Sequence, residues 1–338
     1  MLTAQYGTSV APKRARDGAD SRPEGALGAG TGRTARVRLV GALAVGVCGA
    51  FLTVSLWRSW GDVRSSLGDA RPGTVALALV AAVVAMVLIG LVWTDVLRAV
   101  GAPVARRRVV AWYFAGETGK YVPGGVWSVL GRGELAARGG VARATAYQSV
   151  AVSLLLLYGA AAAVAAVLSL VERAGVLDYA WALVAVPVAI AALHPRATTA
   201  ALAVARRVTG RPVELAPLAP RTSIALAARY VPAWITVAGA TVLAAQALRA
   251  DAGIVDTAHA AILAWLAGFA FVPAPGGIGV REACFVALSD LPAGEATAVA
   301  LLARLCFVAT DAIGAGAAVW WLRRAPAPRP VGAPGVDA

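Results

Sequence analysis

The chain has 338 residues, of which 59% are hydrophobic and only 14% are charged, whereas a soluble domain usually carries about 25% charged residues. This balance excludes a water-soluble globular protein and predicts an all-α, polytopic membrane protein. The formal net charge of +13 comes mainly from arginines at the ends of apolar segments, where they set topology and contact anionic headgroups. We therefore expect membrane lipids with anionic headgroups as partners, and no nucleic acid.

The two ends of the chain differ in composition from its middle. Residues 1–36 are rich in Gly, Ala, Arg and Ser and show no apolar period. Such a composition predicts a disordered basic tail. Residues 37–324 are then one transmembrane domain, and 325–338 form a second disordered tail.

Six apolar segments predict helices that cross the membrane completely, because each is long and nearly free of charge. Trp and Tyr residues near several of their ends are typical of an interfacial aromatic belt. In chain order the segments are 39–57, 74–93, 144–171, 179–193, 223–248 and 296–322.

Two further apolar segments, 109–132 and 260–288, are interrupted. Proline removes a helix donor and paired glycines weaken the helix further. Non-helical backbone at membrane depth persists only inside protein or beside a water-filled cavity. Both segments are therefore predicted to be re-entrant hairpins or broken helices. Their interruptions are Pro123-Gly124-Gly125 and Pro275-Gly276-Gly277.

The distribution of arginine predicts the topology. If segment 109–132 dips into the membrane and returns, both termini and the arginine-rich loop 196–221 face the cytoplasm of a cell-membrane protein. If it crosses completely, the chain has eight spans instead. Six spans with two re-entrant segments is the preferred interpretation, and the second hairpin then enters from outside. Broken segments at corresponding positions in two halves indicate a transport site between inverted repeats.

The residues around both breaks resemble a known family, the transmembrane region of lysylphosphatidylglycerol synthase, over about 39–324. Its K-Y-x-P-G-x-x-W…R…G-V signature is matched by Lys120-Tyr121-Val122-Pro123-Gly124-Gly125-Val126-Trp127, Arg132 and Gly140-Val141. Its P-G-G-[LI]-G-x-R-E-[AG] signature is matched by Pro275-Gly276-Gly277-Ile278-Gly279-Val280-Arg281-Glu282-Ala283. A later arginine and acidic position are matched by Arg304 and Asp311.

This resemblance implies a flippase-like fold that moves or handles lipids or lipid-linked glycans. The soluble aminoacyl-transfer domain of the full synthases does not follow Arg324, so aminoacyl transfer is not expected. The resemblance also leads us to expect a glutamate near position 153, where this chain has Ser149 and Ser153.

Ionisable residues within a membrane are costly and usually mark a functional pathway. A broken helix presents free N–H groups, and an arginine fork suits a phosphate. We therefore expect a binding site for an anionic lipid or lipid-linked glycan, in which carboxylates hold the cations when no lipid is bound. The candidate residues are Glu117, Lys120, Arg132, Arg281, Glu282, Arg304 and Asp311.

A purely structural interpretation of the same residues is also open. Arg281 and Glu282 would then form an interfacial couple, and Lys120 would extend to the headgroups. Arg304 and Asp311 lie two helical turns apart on one face of a helix. Under either interpretation this face points into the bundle.

Other chemistry has little support in the sequence. Residues 116–120 lack the spacing of a phosphate-binding loop, and the motifs of common hydrolases are absent. We therefore expect no enzyme activity and no cofactor. His194 and His259 stand alone, so we also expect no metal site. The second function considered is a non-transporting scaffold for a membrane glycosyltransferase or lipid-modifying enzyme.

Overall fold

The computed structural model describes residues 68, 70–122, 126–171, 218–271 and 275–325. Within these residues the chain forms eight α-helices, two 3-10 turns and no strand, which confirms the all-α prediction. The helices are α1 Pro72–Ala99, α2 Arg106–Glu117, α3 Trp127–Arg138, α4 Arg143–Val171, α5 Pro220–Ala247, α6 Ile254–Ala270, α7 Val280–Leu288 and α8 Ala293–Arg324. The turns are Thr118–Tyr121 and Pro275–Gly277.

Four helices are long and apolar enough to cross a membrane. They are α1, α4, α5 and α8, with 28, 29, 28 and 32 residues. Each coincides with a predicted span, so the polytopic membrane fold is confirmed. The predicted spans 39–57 and 179–193 lie outside the described residues, as do the N-terminal tail and nearly all of the C-terminal tail.

Helices α1 and α5 are antiparallel neighbours that set the two ends of the bundle. The backbone N–H of Arg71 donates to the carbonyl of Ala247 at 2.9 Å, which places the start of α1 beside the end of α5. At the other end, Arg229 donates to Asp95 at 2.8 Å. Both helices begin with proline at the first helical positions, where its fixed φ suits the helix and its missing N–H costs nothing.

Polar side chains join α4 to these two helices. The indole N–H of Trp93 donates to Ser149 Oγ at 3.1 Å, and the Ser153 and Tyr230 hydroxyls lie 2.7 Å apart. All four side chains are buried. Hydrogen bonds between helices stabilise membrane bundles, so the two serines at the position where we expected a glutamate are engaged in packing.

The first predicted break is a helical hairpin made by α2, the turn Thr118–Tyr121 and α3. A Cβ added to Gly119 would lie 2.6 Å from the Trp127 carbonyl carbon, and one added to Gly116 would lie 2.9 Å from the Arg132 nitrogen. These facing pairs show that α2 and α3 run antiparallel, so both open ends lie at the same end of the bundle. The Pro123-Gly124-Gly125 part of the break lies outside the described residues.

The second predicted break is a hairpin made by α6, the turn Pro275–Gly277 and α7. Gly276 and Gly277 have φ of 56° and 69°, in the left-handed region that favours glycine. A Cβ on Gly277 would lie 2.9 Å from the Gly268 Cα, so the two arms approach closely. The prediction of non-helical backbone at these glycines is confirmed.

The two hairpins enter the bundle from opposite ends and meet at their tips. Residues 100–105 join the end of α1 to α2, whereas 248–253 join the end of α5 to α6, and α1 and α5 are antiparallel. At the tips, a Cβ on Gly276 would lie 3.6 Å from the Tyr121 ring. Opposed broken segments that meet inside the bundle are the arrangement expected of inverted repeats.

Charge is distributed unevenly between the two ends of the bundle. The end that holds the open end of the first hairpin, called the basic face below, carries Arg98, Arg106, Arg107, Arg108, Arg138, Arg143, Arg221, Arg229, Arg323 and Arg324. Among the described residues, the opposite face carries Arg71, Arg249, Asp251, Asp256, Asp290 and Glu295. Arginine is therefore concentrated on the face where α2 begins and α3 ends.

Candidate functional site

An ion pair holds the tip of the first hairpin against α8. Lys120 Nζ lies 2.7 Å from Asp311 Oδ2 and 3.5 Å from Glu117 Oε2. The Tyr121 hydroxyl donates to the same Asp311 oxygen at 2.6 Å. The Asp311 side chain is only 2% exposed, so this tip is fixed by a charge contact inside the protein and Lys120 does not extend to the headgroups.

Arg132 continues the charged cluster along the first hairpin. Its Nε lies 3.5 Å from Glu117 Oε1, and its guanidinium carbon lies 5.6 Å from the Tyr113 ring centroid. Glu117 therefore stands between Arg132 and Lys120. Two cations and two carboxylates balance one another in this cluster, which a buried site requires because unpaired charges there are costly.

A second ion pair, of opposite polarity, holds the tip of the second hairpin to α8. Arg304 donates to the Glu282 carboxylate and to the Gly276 carbonyl at 3.4 Å. Glu282 also accepts from the Gly279 N–H at 2.6 Å, which caps the start of α7. The hairpin contributes the carboxylate here, whereas the first hairpin contributes the cation.

The expected couple between Arg281 and Glu282 is wrong. Neighbouring residues on a helix point about 100° apart, because one turn takes 3.6 residues. Glu282 faces α8 and pairs with Arg304. Arg281 points elsewhere: its guanidinium carbon lies 3.6 Å from the Trp265 ring centroid and 5.3 Å from that of Phe307.

The Arg281 guanidinium lies against aromatic rings and outside ion-pair distance of any carboxylate in the described residues. Among the described residues, no ion pair within 4.0 Å involves its guanidinium. A cation above an aromatic ring is stabilised without being neutralised. A small cavity opens beside Arg281 and Glu282, and its other walls are mostly alanine together with Phe285.

Four buried side-chain polar atoms have no hydrogen-bond partner within the described part of the chain, and two of them lie near the hairpin tips. One is the indole N–H of Trp265, and the other is Asp311 Oδ1. Buried polar groups are nearly always satisfied in native proteins. At the tips, the unsatisfied donor beside Arg281 and the unsatisfied acceptor beside Lys120 are therefore two places where a further polar group would be stabilised.

The charges around the tips do not balance. The described residues place four cations there, Lys120, Arg132, Arg281 and Arg304, against the three carboxylates Glu117, Glu282 and Asp311. The predicted spans at 39–57 and 179–193 contain no charged residue. Among the described residues one positive charge is left over, and it resides on Arg281.

The structure brings all seven predicted charged residues to the region where the hairpins meet α8. Pro275, Gly276 and Gly277 form the second tip. Three aromatic residues of the site were not predicted: Tyr121, Trp265 and Phe307. One signal could have found Trp265, because it lies well inside α6, away from the interfacial position typical of tryptophan.

Metal binding has no support in the described ranges, which contain no group of three or more His, Cys, Asp or Glu residues that could hold an ion. His259 Nε2 instead lies 2.9 Å from Ser169 Oγ. His194 falls in the range 172–217, which the structure does not describe. The absence of a metal or cofactor stays a prediction.

Comparison with known proteins identifies the family of the chain. Residues 39–314 match the model of the family described as "Lysylphosphatidylglycerol synthase TM region". No curated protein matches the chain. The matched residues include both hairpins and Asp311 on α8, and they cover most of the sequence. The chain is therefore a multi-pass membrane protein related to lipid modification or transport, and it belongs to the lysylphosphatidylglycerol synthase transmembrane region family.

Proposed function

We propose that the chain is a translocase for an anionic lipid or lipid-linked glycan, and that it carries out no covalent chemistry. One observation carries the proposal: two hairpins from opposite ends of the bundle meet at a charged cluster with one uncompensated cation, Arg281. A scaffold has no need of buried charge between two broken helices, whereas a transport pathway does.

The site has the chemistry to hold a phosphate. A planar guanidinium binds phosphate through two parallel hydrogen bonds. Arg281 lies in the first turn of α7, where free backbone N–H groups also favour an anion. A headgroup with one negative charge would balance the excess charge at the tips, and the Trp265 N–H would offer it a further donor.

Each hairpin opens toward one face of the bundle, and this supports alternating access. Movement of the first hairpin away from α8 would expose the site to the basic face, and movement of the second would expose it to the opposite face. Because arginine is retained on the cytoplasmic side, we place the basic face and both termini in the cytoplasm of a cell-membrane protein.

Translocation can be measured directly in vesicles that contain the purified protein. The probe is phosphatidylglycerol with a fluorescent nitrobenzoxadiazole group, and dithionite added outside destroys the label in the outer leaflet. We expect label from the inner leaflet to become accessible faster than in protein-free vesicles. Equal rates in the two kinds of vesicle would reject the translocase and favour the scaffold for a membrane enzyme partner.

Specificity for charge is tested by a second probe. Phosphatidylcholine with the same label is zwitterionic, so it brings no net negative charge to Arg281. We expect its rate to stay close to that of protein-free vesicles. Equal acceleration of both probes would show lipid movement without selection by the charged site.

A further inference from the structure

We propose that Lys120 is a second binding position for the headgroup anion, and that the carboxylate of Asp311 occupies it when no lipid is bound. This inference rests on the proposed function, because it assumes that an anionic headgroup reaches the hairpin tips. Asp311 then acts as an internal competitor: the headgroup must replace its carboxylate at Lys120 to move from one hairpin to the other.

The geometry of Asp311 supports this role. Its Oδ2 receives both Lys120 at 2.7 Å and the Tyr121 hydroxyl at 2.6 Å. Its Oδ1 is buried and has no hydrogen-bond partner within the described ranges. A carboxylate held on one oxygen only is less well compensated than one with both oxygens engaged. Lys120 therefore compensates the charge of the Asp311 carboxylate, but one of the two carboxylate oxygens lacks a hydrogen bond.

The remaining charges allow the exchange. Glu117 lies 3.5 Å from Lys120 and 3.5 Å from Arg132 on the same hairpin, so Lys120 has a second carboxylate beside it when Asp311 leaves. Without the Asp311 carboxylate, the cluster at the tip of the first hairpin has two cations, Lys120 and Arg132, and one carboxylate, so it has one positive charge in excess. The tip of the second hairpin has the same excess in the present structure, because Arg281 and Arg304 stand there against Glu282. Either tip can thus neutralise one anionic headgroup.

The two positions are adjacent along α8. Phe307, which contacts Arg281, and Asp311, which contacts Lys120, are four residues apart on that helix, so they lie on one face about 6 Å apart along its axis. The tips also touch, since the Gly276 position faces Tyr121. A headgroup leaving Arg281 would therefore meet Lys120 next.

Asp311→Asn separates this role from a structural one. The amide keeps the shape of the side chain but competes weakly for an ammonium. We expect dihexanoylphosphatidylglycerol to bind the detergent-solubilised variant about tenfold more tightly, measured by calorimetric titration. Translocation in vesicles should be slower, because nothing displaces the headgroup from Lys120. A residue needed only for folding would weaken both binding and translocation.

Asp95→Asn is the matched control. Asp95 also contacts two basic side chains, Arg98 at 3.1 Å and Arg229 at 2.8 Å, but it lies near the basic face, away from the tips. We expect its affinity and translocation rate to match the wild type. A similar gain in affinity in this variant would mean that overall charge, and not Lys120, tightens binding, and would overturn the inference.

A double variant shows whether Lys120 receives the anion. Asp311→Asn with Lys120→Gln removes both members of the pair, so neither buried charge is left uncompensated. We expect the affinity gained by Asp311→Asn to be lost. If the gain persists, or if Asp311→Asn gives none, the second position does not exist.

Two comparisons separate the sources of failure. If Arg281→Ala binds dihexanoylphosphatidylglycerol as the wild type does, the proposed site itself is wrong. If Arg281→Ala loses binding and Asp311→Asn gains none, only the second position is wrong. Inorganic phosphate is titrated in parallel: equal tightening for phosphate alone would assign the position to a free anion and would contradict a lipid headgroup.

Discussion

Gly276 at the tip of the second hairpin faces the ring of Tyr121 at the tip of the first, and a Cβ at Gly276 would lie 3.6 Å from two ring carbons. These two residues are 155 positions apart in sequence but form one contact in space. Each tip is also paired with α8. A headgroup that passes between the two faces along this path must therefore separate the tips.

Joining the tips should therefore stop translocation. In a background without Cys48, Cys284 and Cys306, Tyr121→Cys and Gly276→Cys can be bridged by a short thiol-reactive linker containing a disulfide. We expect the bridged protein to lose translocation of labelled phosphatidylglycerol and to regain it after reduction. Each single-cysteine variant, treated in the same way, is the control. Full activity in the bridged protein would show that the tips need not part.

Gly277 should be intolerant of a side chain. Its φ is 69°, which costs a non-glycine residue about 1–2 kcal/mol, and a Cβ there would lie 2.9 Å from Gly268. We expect Gly277→Ala to lower the thermal midpoint in detergent and to reduce translocation. Gly239→Ala is the control, because its Cβ would meet nothing within 4 Å and alanine favours the helix. Equal stability of the two variants would contradict a strained tip.

The pair between Glu282 and Arg304 should stabilise the fold. Glu282→Gln leaves Arg304 partly buried without its carboxylate, a loss of about 3–5 kcal/mol for a buried pair. Glu134→Gln is the control: Glu134 contacts Arg138 and Arg143, each at 3.1 Å, but these arginines are exposed, and such pairs contribute about 0–1 kcal/mol. Chemical unfolding in detergent measures both. A loss of stability no larger in Glu282→Gln than in Glu134→Gln would contradict a stabilising role for the pair between Glu282 and Arg304.

Much of this fold could be predicted from the sequence, because the membrane restricts what an apolar segment can do. Only helices and closed barrels satisfy their backbone groups in lipid, so the predicted span 144–171 agrees with α4 to within one residue at its start. Proline and glycine located both breaks. The predicted segment began at residue 260, six residues after the observed start of α6 at Ile254. The first turn of α6 contains Asp256, whose charge excludes it from an apolar segment but suits a helix N-terminus.

The pairing of the charges could not be predicted. Sequence proximity suggested Arg281 with Glu282, but helix geometry turns them apart, and the true partner of Glu282 lies on α8. Likewise, Lys120 meets Asp311 across most of the domain. Composition identifies which side chains are costly in a membrane, whereas tertiary packing decides which of them remains uncompensated.

The direction of insertion can be checked by labelling single cysteines in intact cells. Because arginine concentrates on the basic face, we expect Arg138→Cys to react with a membrane-impermeant maleimide only after permeabilisation. Asp290→Cys, on the opposite face, should react in intact cells. Reaction of both positions from the same side would contradict a first hairpin that returns to the face where it began.

Translocation by the Arg281→Ala variant tests the central claim most directly. The comparison is Arg324→Ala, which removes an arginine that also stacks on a tryptophan, 4.1 Å from the Trp320 centroid, but lies at the end of α8. Loss of a hydrogen bond to a charged group costs about 1.5–3 kcal/mol, or roughly ten- to hundredfold in rate. We expect the translocation rate of labelled phosphatidylglycerol to fall by that factor in Arg281→Ala and to fall only partly in Arg281→Lys. In Arg324→Ala the rate should equal that of the wild type. Wild-type rates in Arg281→Ala, with the protein inserted normally, would contradict the account.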